Sequence, residues 1–80
     1  MQIRVLGSGC KNCATLAERT RAAVAALGLD ATVVEEHDPA EIAACNVMRT
    51  PALELDGEIV VAGRVPTVTV LVELLAGQAA

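Results

Sequence analysis

Short apolar runs separate longer amphipathic stretches along this chain, and the pattern predicts seven secondary-structure elements. Four runs rich in Val, Ile and Leu predict strands, at residues 3–6, 31–35, 52–55 and 58–62. Between residues 11 and 27 apolar side chains recur at three- and four-residue steps, which predicts an amphipathic helix. Two further helical stretches give the order β-α-β-α-β-β-α.

Residues with special backbone preferences mark the ends of the helices. Gly28 is placed to end the first helix in a left-handed cap. The dipeptide Asp38-Pro39 predicts the start of a short second helix, which we expect to end at Asn46. The third helix is expected to begin at Pro66-Thr67 and to end at Gly77, leaving residues 78–80 frayed.

The predicted order defines the fold class. A β-α-β opening implies a right-handed crossover and parallel first strands, and the dipeptide Asp56-Gly57 predicts a hairpin that adds antiparallel strands. We therefore expect an α/β fold with a four-stranded mixed sheet and helices on both faces. Residues 1–80 are long enough for one such domain.

The composition excludes several function classes. The chain is 54% hydrophobic but has no Phe, Tyr or Trp, so it offers no aromatic surface on which nucleic-acid bases could stack. A net charge of -4 also disfavours phosphate binding, so we expect no nucleic-acid partner. No signal-peptide pattern and no membrane-length apolar run is present, which predicts a cytoplasmic protein without a membrane partner.

The segment Gly7-Ser8-Gly9-Cys10-Lys11-Asn12-Cys13 carries the chemistry. Two thiols at this spacing on the first turn of a helix can form a disulfide or hold one soft metal ion. Cys10 lies where the helix terminus favours a thiolate, and Lys11 adds a positive charge beside it. Cys13, one turn further, faces the core and is suited to closing the ring.

Thr50-Pro51 is the second informative site. Pro51 opens a segment that otherwise predicts a central strand, so its peptide bond is a candidate for the cis form, although trans is the commoner form. A cis bond would turn the Thr50 backbone outward, where its N–H and C=O could pair with an extended substrate chain.

These features together resemble the thioredoxin fold, over nearly the whole chain. The segments at residues 47–53, 56–58 and 61–66 are similar to those of small thioredoxin-like, glutaredoxin-sized proteins, often named redox-active disulfide proteins. The resemblance implies that Cys10 is the attacking nucleophile, Cys13 the resolving cysteine and Pro51 the cis-proline. It also implies that Gly63 is the glycine that follows the last strand and permits close approach of chains.

The chain departs from typical thioredoxins at several positions. Gly9 stands where a tryptophan is usual, Lys11-Asn12 replaces Gly-Pro, and Arg4 occupies the place of a buried acid. Of the Gly-Gly pair of glutaredoxins only Gly63 is present, so the resemblance does not carry over a glutathione site.

Two other functions compete with disulfide chemistry. A copper(I) transfer module could use Cys10 and Cys13, but such domains have a methionine where Ser8 stands and they end in a strand. A catalytically silent adaptor that binds a partner through the cysteine face is the third possibility. We expect His37 to be a solvated residue at a strand end and Cys45 a small, partly buried apolar residue.

We therefore predict a cytoplasmic dithiol–disulfide oxidoreductase in which Cys10 attacks a substrate disulfide and Cys13 resolves the mixed disulfide. The predicted substrate-binding residues are Gly9, Lys11, Thr50, Pro51 and Gly63. The expected partners are a protein disulfide and a reductase of the thioredoxin-reductase type. We expect no cofactor, no metal and a monomer.

Overall fold

The computed structural model describes residues 1–79, and its elements follow the predicted order. They are β1 (Gln2–Leu6), α1 (Lys11–Leu27), β2 (Thr32–Glu36), α2 (Pro39–Ala44), β3 (Ala52–Leu55), β4 (Glu58–Ala62) and α3 (Val68–Ala79). The prediction of an α/β fold with a four-stranded mixed sheet is confirmed. β2 begins and ends one residue later than predicted, because its parallel register with β1 runs from Gln2↔Thr32 to Leu6↔Glu36.

The sheet has the strand order β2-β1-β3-β4. β1 pairs with β2 in parallel, whereas β1 with β3 and β3 with β4 are antiparallel. The hairpin turn at Asp56 and Gly57 has positive φ at both residues, 47° and 89°, as the primed turn type requires. Consequently the ends of β1, β2 and β4 and the start of β3 lie at the same edge of the sheet.

The ends of the first two helices match the prediction, and the end of the third does not. Gly28 adopts φ 62°, and the N–H of Leu29 donates to the Val24 carbonyl at 3.2 Å, which closes α1 in a left-handed cap. Asn46 follows α2 with φ 58°. The predicted end at Gly77 is wrong, because Gly77 lacks a positive φ and α3 continues to Ala79. Part of the predicted frayed segment is thus helical, and Ala80 lies outside the described residues.

The hydrophobic core lies between one face of the sheet and the helices α1 and α3. Its buried members come from the sheet and from both of these helices: Ile3, Val5, Leu16, Ala17, Ala23, Leu53, Leu55, Val61, Leu71 and Leu75. The helix α1 fits this layer closely because Ala17 and Ala23 are small, and buried Thr20 returns its hydroxyl to the Leu16 carbonyl at 2.7 Å. The core is entirely aliphatic.

The opposite face of the sheet carries charged residues under α2. Arg4 and Glu54 are directly opposed in the antiparallel β1–β3 register. Glu41 of α2 and Cys45, which caps this helix, contact Arg4 from above. Helices therefore cover both faces, as predicted. Within residues 1–79 no helix has the length and apolar character needed to cross a membrane.

Candidate active site

The turn between β1 and α1 places Cys10 at the N-cap of the long helix. Cys10 is extended, with φ −69° and ψ 170°, and its Sγ accepts a hydrogen bond from the Cys13 N–H at 3.4 Å. Its side chain is exposed. A sulfur at this position faces the unpaired amide groups of the first turn, which stabilise an anion.

The two sulfurs of the motif are neighbours in very different surroundings. Cys10 Sγ lies 2.7 Å from Cys13 Sγ, and both cysteines are free thiols. Cys13 is only 1% exposed, because it faces the core from the first turn of α1. One thiol of the pair is thus open to another molecule, and the second can be reached only by the first.

This asymmetry separates the acidities of the two thiols. The hydrogen bond with the Cys13 thiol, followed by the Cys13 and Asn12 backbone amides, lowers the pKa of Cys10. Burial raises the pKa of Cys13. Cys10 is therefore the better thiolate, the form that attacks disulfides. Lys11, whose positive charge was expected to act on Cys10, is exposed beside it.

The loop before β3 brings Thr50 and Pro51 to the cysteines. The Thr50–Pro51 peptide bond is cis, and Pro51 is buried. A Cβ built on Gly7 would lie 3.9 Å from Pro51 Cα and would overlap Cys13 Sγ, so the two segments meet at Gly7. Thr50 is exposed, and within residues 1–79 its backbone N–H and C=O have no hydrogen-bond partner.

Gly63 joins the same edge of the sheet from the end of β4. Its N–H donates to the Pro51 carbonyl at 2.9 Å. A Cβ at Gly63 would lie 2.9 Å from the Arg49 side chain, and its φ of 74° also favours glycine. The structure thus brings Gly63 against the loop of Thr50 and Pro51.

His37 lies at this site, although the sequence suggested only a solvated strand end. It follows β2 and is exposed, but its Nδ1 lies 2.9 Å from the Gly7 carbonyl oxygen. Its ring is 3.6 Å from the position of a Cβ on Gly9. The parallel register of β1 and β2 causes this proximity, and no local sequence motif reports it.

A second polar cluster lies on the α2 side of the sheet. Arg4 donates from Nε and Nη2 to the two carboxylate oxygens of Glu54, at 2.6 and 2.9 Å. Cys45 Sγ lies 3.2 Å from Arg4 Nη2 and 3.3 Å from Glu54 Oε2. Cys45 is partly buried at the end of α2, as predicted, and its thiol contacts two charged side chains. The Arg4 hydrogen bonds lower the pKa of Glu54, and burial raises the pKa of Cys45.

Glu54 was not singled out from the sequence. The available signal was a charged residue within a strand predicted to be central, since a buried charge needs a partner. Arg4, on the neighbouring strand, is that partner. The chain therefore does hold a buried acid, at 7% exposure, but on β3 instead of β1.

The donor set near the cysteines is small. Among the residues that the structure describes, no group of three or more His, Cys, Asp or Glu side chains could hold a metal ion. Copper(I) transfer would therefore depend on Cys10 and Cys13 alone. The sheet topology, the helix α3 and a thiol pair at a helix N-terminus instead define a thioredoxin-like dithiol protein.

Comparisons with known proteins agree with this class. The family model described as "Thioredoxin domain" matches residues 1–76. A protein named "Thioredoxin" from Methanocaldococcus jannaschii is 40% identical over 73 residues, covering 91% of this chain and 84% of its own. Another of that name, from Methanothermobacter thermautotrophicus, is 37% identical over 65 residues, covering 81% and 84%.

The chain therefore belongs to the thioredoxin family. It is a thiol–disulfide oxidoreductase, as the sequence predicted. Family membership implies in general terms that its substrates are protein disulfides and that a reductase is a partner.

Proposed function

We propose that Cys10 is the attacking nucleophile of this oxidoreductase and that Cys13 resolves the mixed disulfide. The observation that carries the proposal is the contact of 2.7 Å between an exposed sulfur at a helix N-cap and a buried one. The lowered pKa of Cys10 and the raised pKa of Cys13 support the same division of roles.

The reaction consists of two thiol–disulfide exchange steps. The Cys10 thiolate attacks one sulfur of the substrate disulfide, forms a mixed disulfide and releases the first substrate thiolate. Cys13 loses its proton to water and attacks Cys10 Sγ, which releases the second substrate thiolate. The two released thiolates take up protons, the substrate is reduced, and the protein is left with a Cys10–Cys13 disulfide that a reductase must reduce.

The substrate chain binds across the edge of the sheet at which the β1–α1 turn, the loop before β3 and the end of β4 meet. The N–H and C=O of Thr50, which have no hydrogen-bond partner within residues 1–79, pair with an extended segment of the substrate. Gly9 and Gly63 are exposed and lack side chains, so the substrate backbone can approach from both flanks. Lys11, exposed next to Cys10, contacts the substrate from the rim.

The remaining assignments concern partners and context. The reductase is of the thioredoxin-reductase type, which membership of the thioredoxin family supports. The protein is cytoplasmic, where disulfides are mostly transient and catalytic. It is a single domain over residues 1–80 and a monomer. In support, the exposed large hydrophobic residues of the described part are only Val34, Met48 and Val70.

The test combines a redox titration with activity. The protein is equilibrated with buffers of graded ratios of reduced to oxidised glutathione and then alkylated. Mass spectrometry measures which cysteines have been modified. We expect a reversible two-thiol couple at Cys10 and Cys13. In insulin-disulfide reduction Cys10→Ser should fall to the background rate, and Cys13→Ser should accumulate a mixed disulfide.

Cys45→Ser is the matched control, because this cysteine lies on the other side of the sheet and should not enter the couple. Activity that persists in Cys10→Ser would contradict the proposed roles. So would the failure of Cys10 and Cys13 to form a disulfide at any buffer ratio.

A further inference from the structure

We propose that His37 is a positioning residue for the second step, in which it holds the Gly7–Gly9 turn against Cys13. The inference rests on the proposed roles of Cys10 and Cys13. His37 contacts neither a substrate nor a reacting atom, and it acts through the backbone of the turn.

The register of the sheet fixes His37 beside the turn. Leu6 pairs with Glu36 at the end of the parallel ladder, and the Gly7 N–H donates to the Glu36 carbonyl at 3.0 Å. His37 Nδ1 then meets the Gly7 carbonyl oxygen at 2.9 Å. A carbonyl only accepts, so Nδ1 carries the proton of this hydrogen bond. Both polar groups of Gly7 are thus held by residues 36 and 37.

The same imidazole lies near the other end of the turn. Its Nδ1 and Cε1 atoms lie 3.6 Å from the position that a Cβ on Gly9 would occupy, and Gly9 adopts φ 84°. The ring therefore faces the side of Gly9 on which a side chain would lie. His37 restrains the turn through its hydrogen bond at Gly7, with its ring beside Gly9.

The restrained turn surrounds the buried sulfur. Gly7 packs so closely on Cys13 that a Cβ there would overlap Sγ. Burial raises the pKa of Cys13, and the Gly9 backbone is among the groups that oppose this effect. Cys13 must attack Cys10 Sγ, which lies 2.7 Å away, and a turn held in this geometry keeps the Cys13 sulfur in that position. Cys10, at the exposed helix terminus, obtains its stabilisation from the Cys13 thiol and backbone amides instead.

The two steps should therefore respond differently to the loss of His37. Dithiobis-nitrobenzoate in excess reports both, since each step releases one coloured thionitrobenzoate. Attack by Cys10 gives a first phase that depends on reagent concentration. Attack of Cys13 on the Cys10 mixed disulfide gives a second phase that does not. In Cys13→Ser the first phase persists and the second is absent, and any phase beyond the first belongs to Cys45.

His37→Ala removes the donor, and we expect the second phase to slow by about fivefold, the effect of one ordinary hydrogen bond. His37→Asn places an amide N–H where Nδ1 stands and should restore the rate. A general loss of structure would not give this pattern, because Asn would not rescue it. Thermal melts of both variants record whether they fold.

Two outcomes overturn the inference. One is a second phase that is unchanged in His37→Ala, and the other is equal slowing in the Ala and Asn variants. A folded, unsubstituted protein that shows no second phase would instead overturn the roles of the two cysteines, and the positioning role with them. The failure of the proposed function is thus distinguishable from the failure of His37 alone.

Discussion

Gly7→Ala is the substitution with the sharpest predicted effect on both stability and catalysis. The added Cβ would overlap Cys13 Sγ and lie 3.3 Å from Cys13 Cβ. Cys13 is 1% exposed, so it has no solvent into which it can move. Overpacking of this kind costs about 1–3 kcal/mol. For a domain of this size the melting temperature should fall by roughly 5–20 °C.

The catalytic effect should match the upper end of the stability effect, since a 100-fold loss of rate corresponds to about 2.7 kcal/mol. Relief of the overlap requires a shift of the sulfur on the order of 1 Å, and a displacement of that size costs an aligned reaction about 100-fold. The second, concentration-independent phase of thionitrobenzoate release measures this loss. The first phase, which belongs to Cys10, should change far less.

Gly77→Ala is the matched control for Gly7→Ala. It makes the same substitution within α3, where nothing lies within 4 Å of the new Cβ. Alanine is the better helix former, so we expect a gain of up to about 1 kcal/mol and an unaltered second phase. If Gly7→Ala also melts and reacts like the unsubstituted protein, the close packing of Gly7 on Cys13 is refuted.

Three further predictions concern the polar groups. Alkylation of Cys10 should rise with pH around a midpoint below that of an ordinary thiol, because its pKa is lowered, and mass spectrometry of the modified peptide measures it. Cys45, whose pKa is raised by burial, should be modified later, and modification before Cys10 would contradict its placement. Glu54→Gln should destabilise the protein by about 1.5–3 kcal/mol, because the half-buried Arg4 loses its two charge-assisted hydrogen bonds to Glu54 and keeps only Glu41, 3.7 Å away. Because the pKa of Glu54 is lowered in the folded protein, its contribution to stability is complete above its unfolded pKa of about 4.3 and is lost as pH falls through the folded value. The stability of Glu54→Gln should therefore change less with pH in the acid range, which thermal melts at graded pH measure.

Much of the fold could be predicted because local signals and hydrophobic period agree. The bounds of α1 followed from its apolar spacing and Gly28, and the β3–β4 hairpin followed from its turn dipeptide. The predicted helix end at Gly77 was wrong because glycine permits a left-handed backbone conformation but does not require it. Only the packing around a glycine decides whether a helix ends there.

The site was predictable only where its residues are close in sequence or belong to the recognised motif. Cys10 and Cys13 are brought together by one helical turn. Strand register brings His37 to the cysteines and Glu54 to the second polar cluster, since Leu6 pairs with Glu36 and Arg4 with Glu54. A register is a long-range property, and one sequence carries no direct record of it. The sequence shows that His37 and Glu54 are polar, but it does not show which residues lie beside them in the sheet.

The position of Cys10 at the N-cap of α1 links the redox state to folding. The free sulfur that caps this helix is lost whenever it enters a disulfide, so reduced and oxidised proteins differ in helix capping as well as in cross-linking. In a thermodynamic cycle, the difference in unfolding free energy between the two forms equals the difference in reduction free energy between folded and unfolded chains. Denaturant melts of the two forms therefore measure how far folding shifts the reduction potential of the pair.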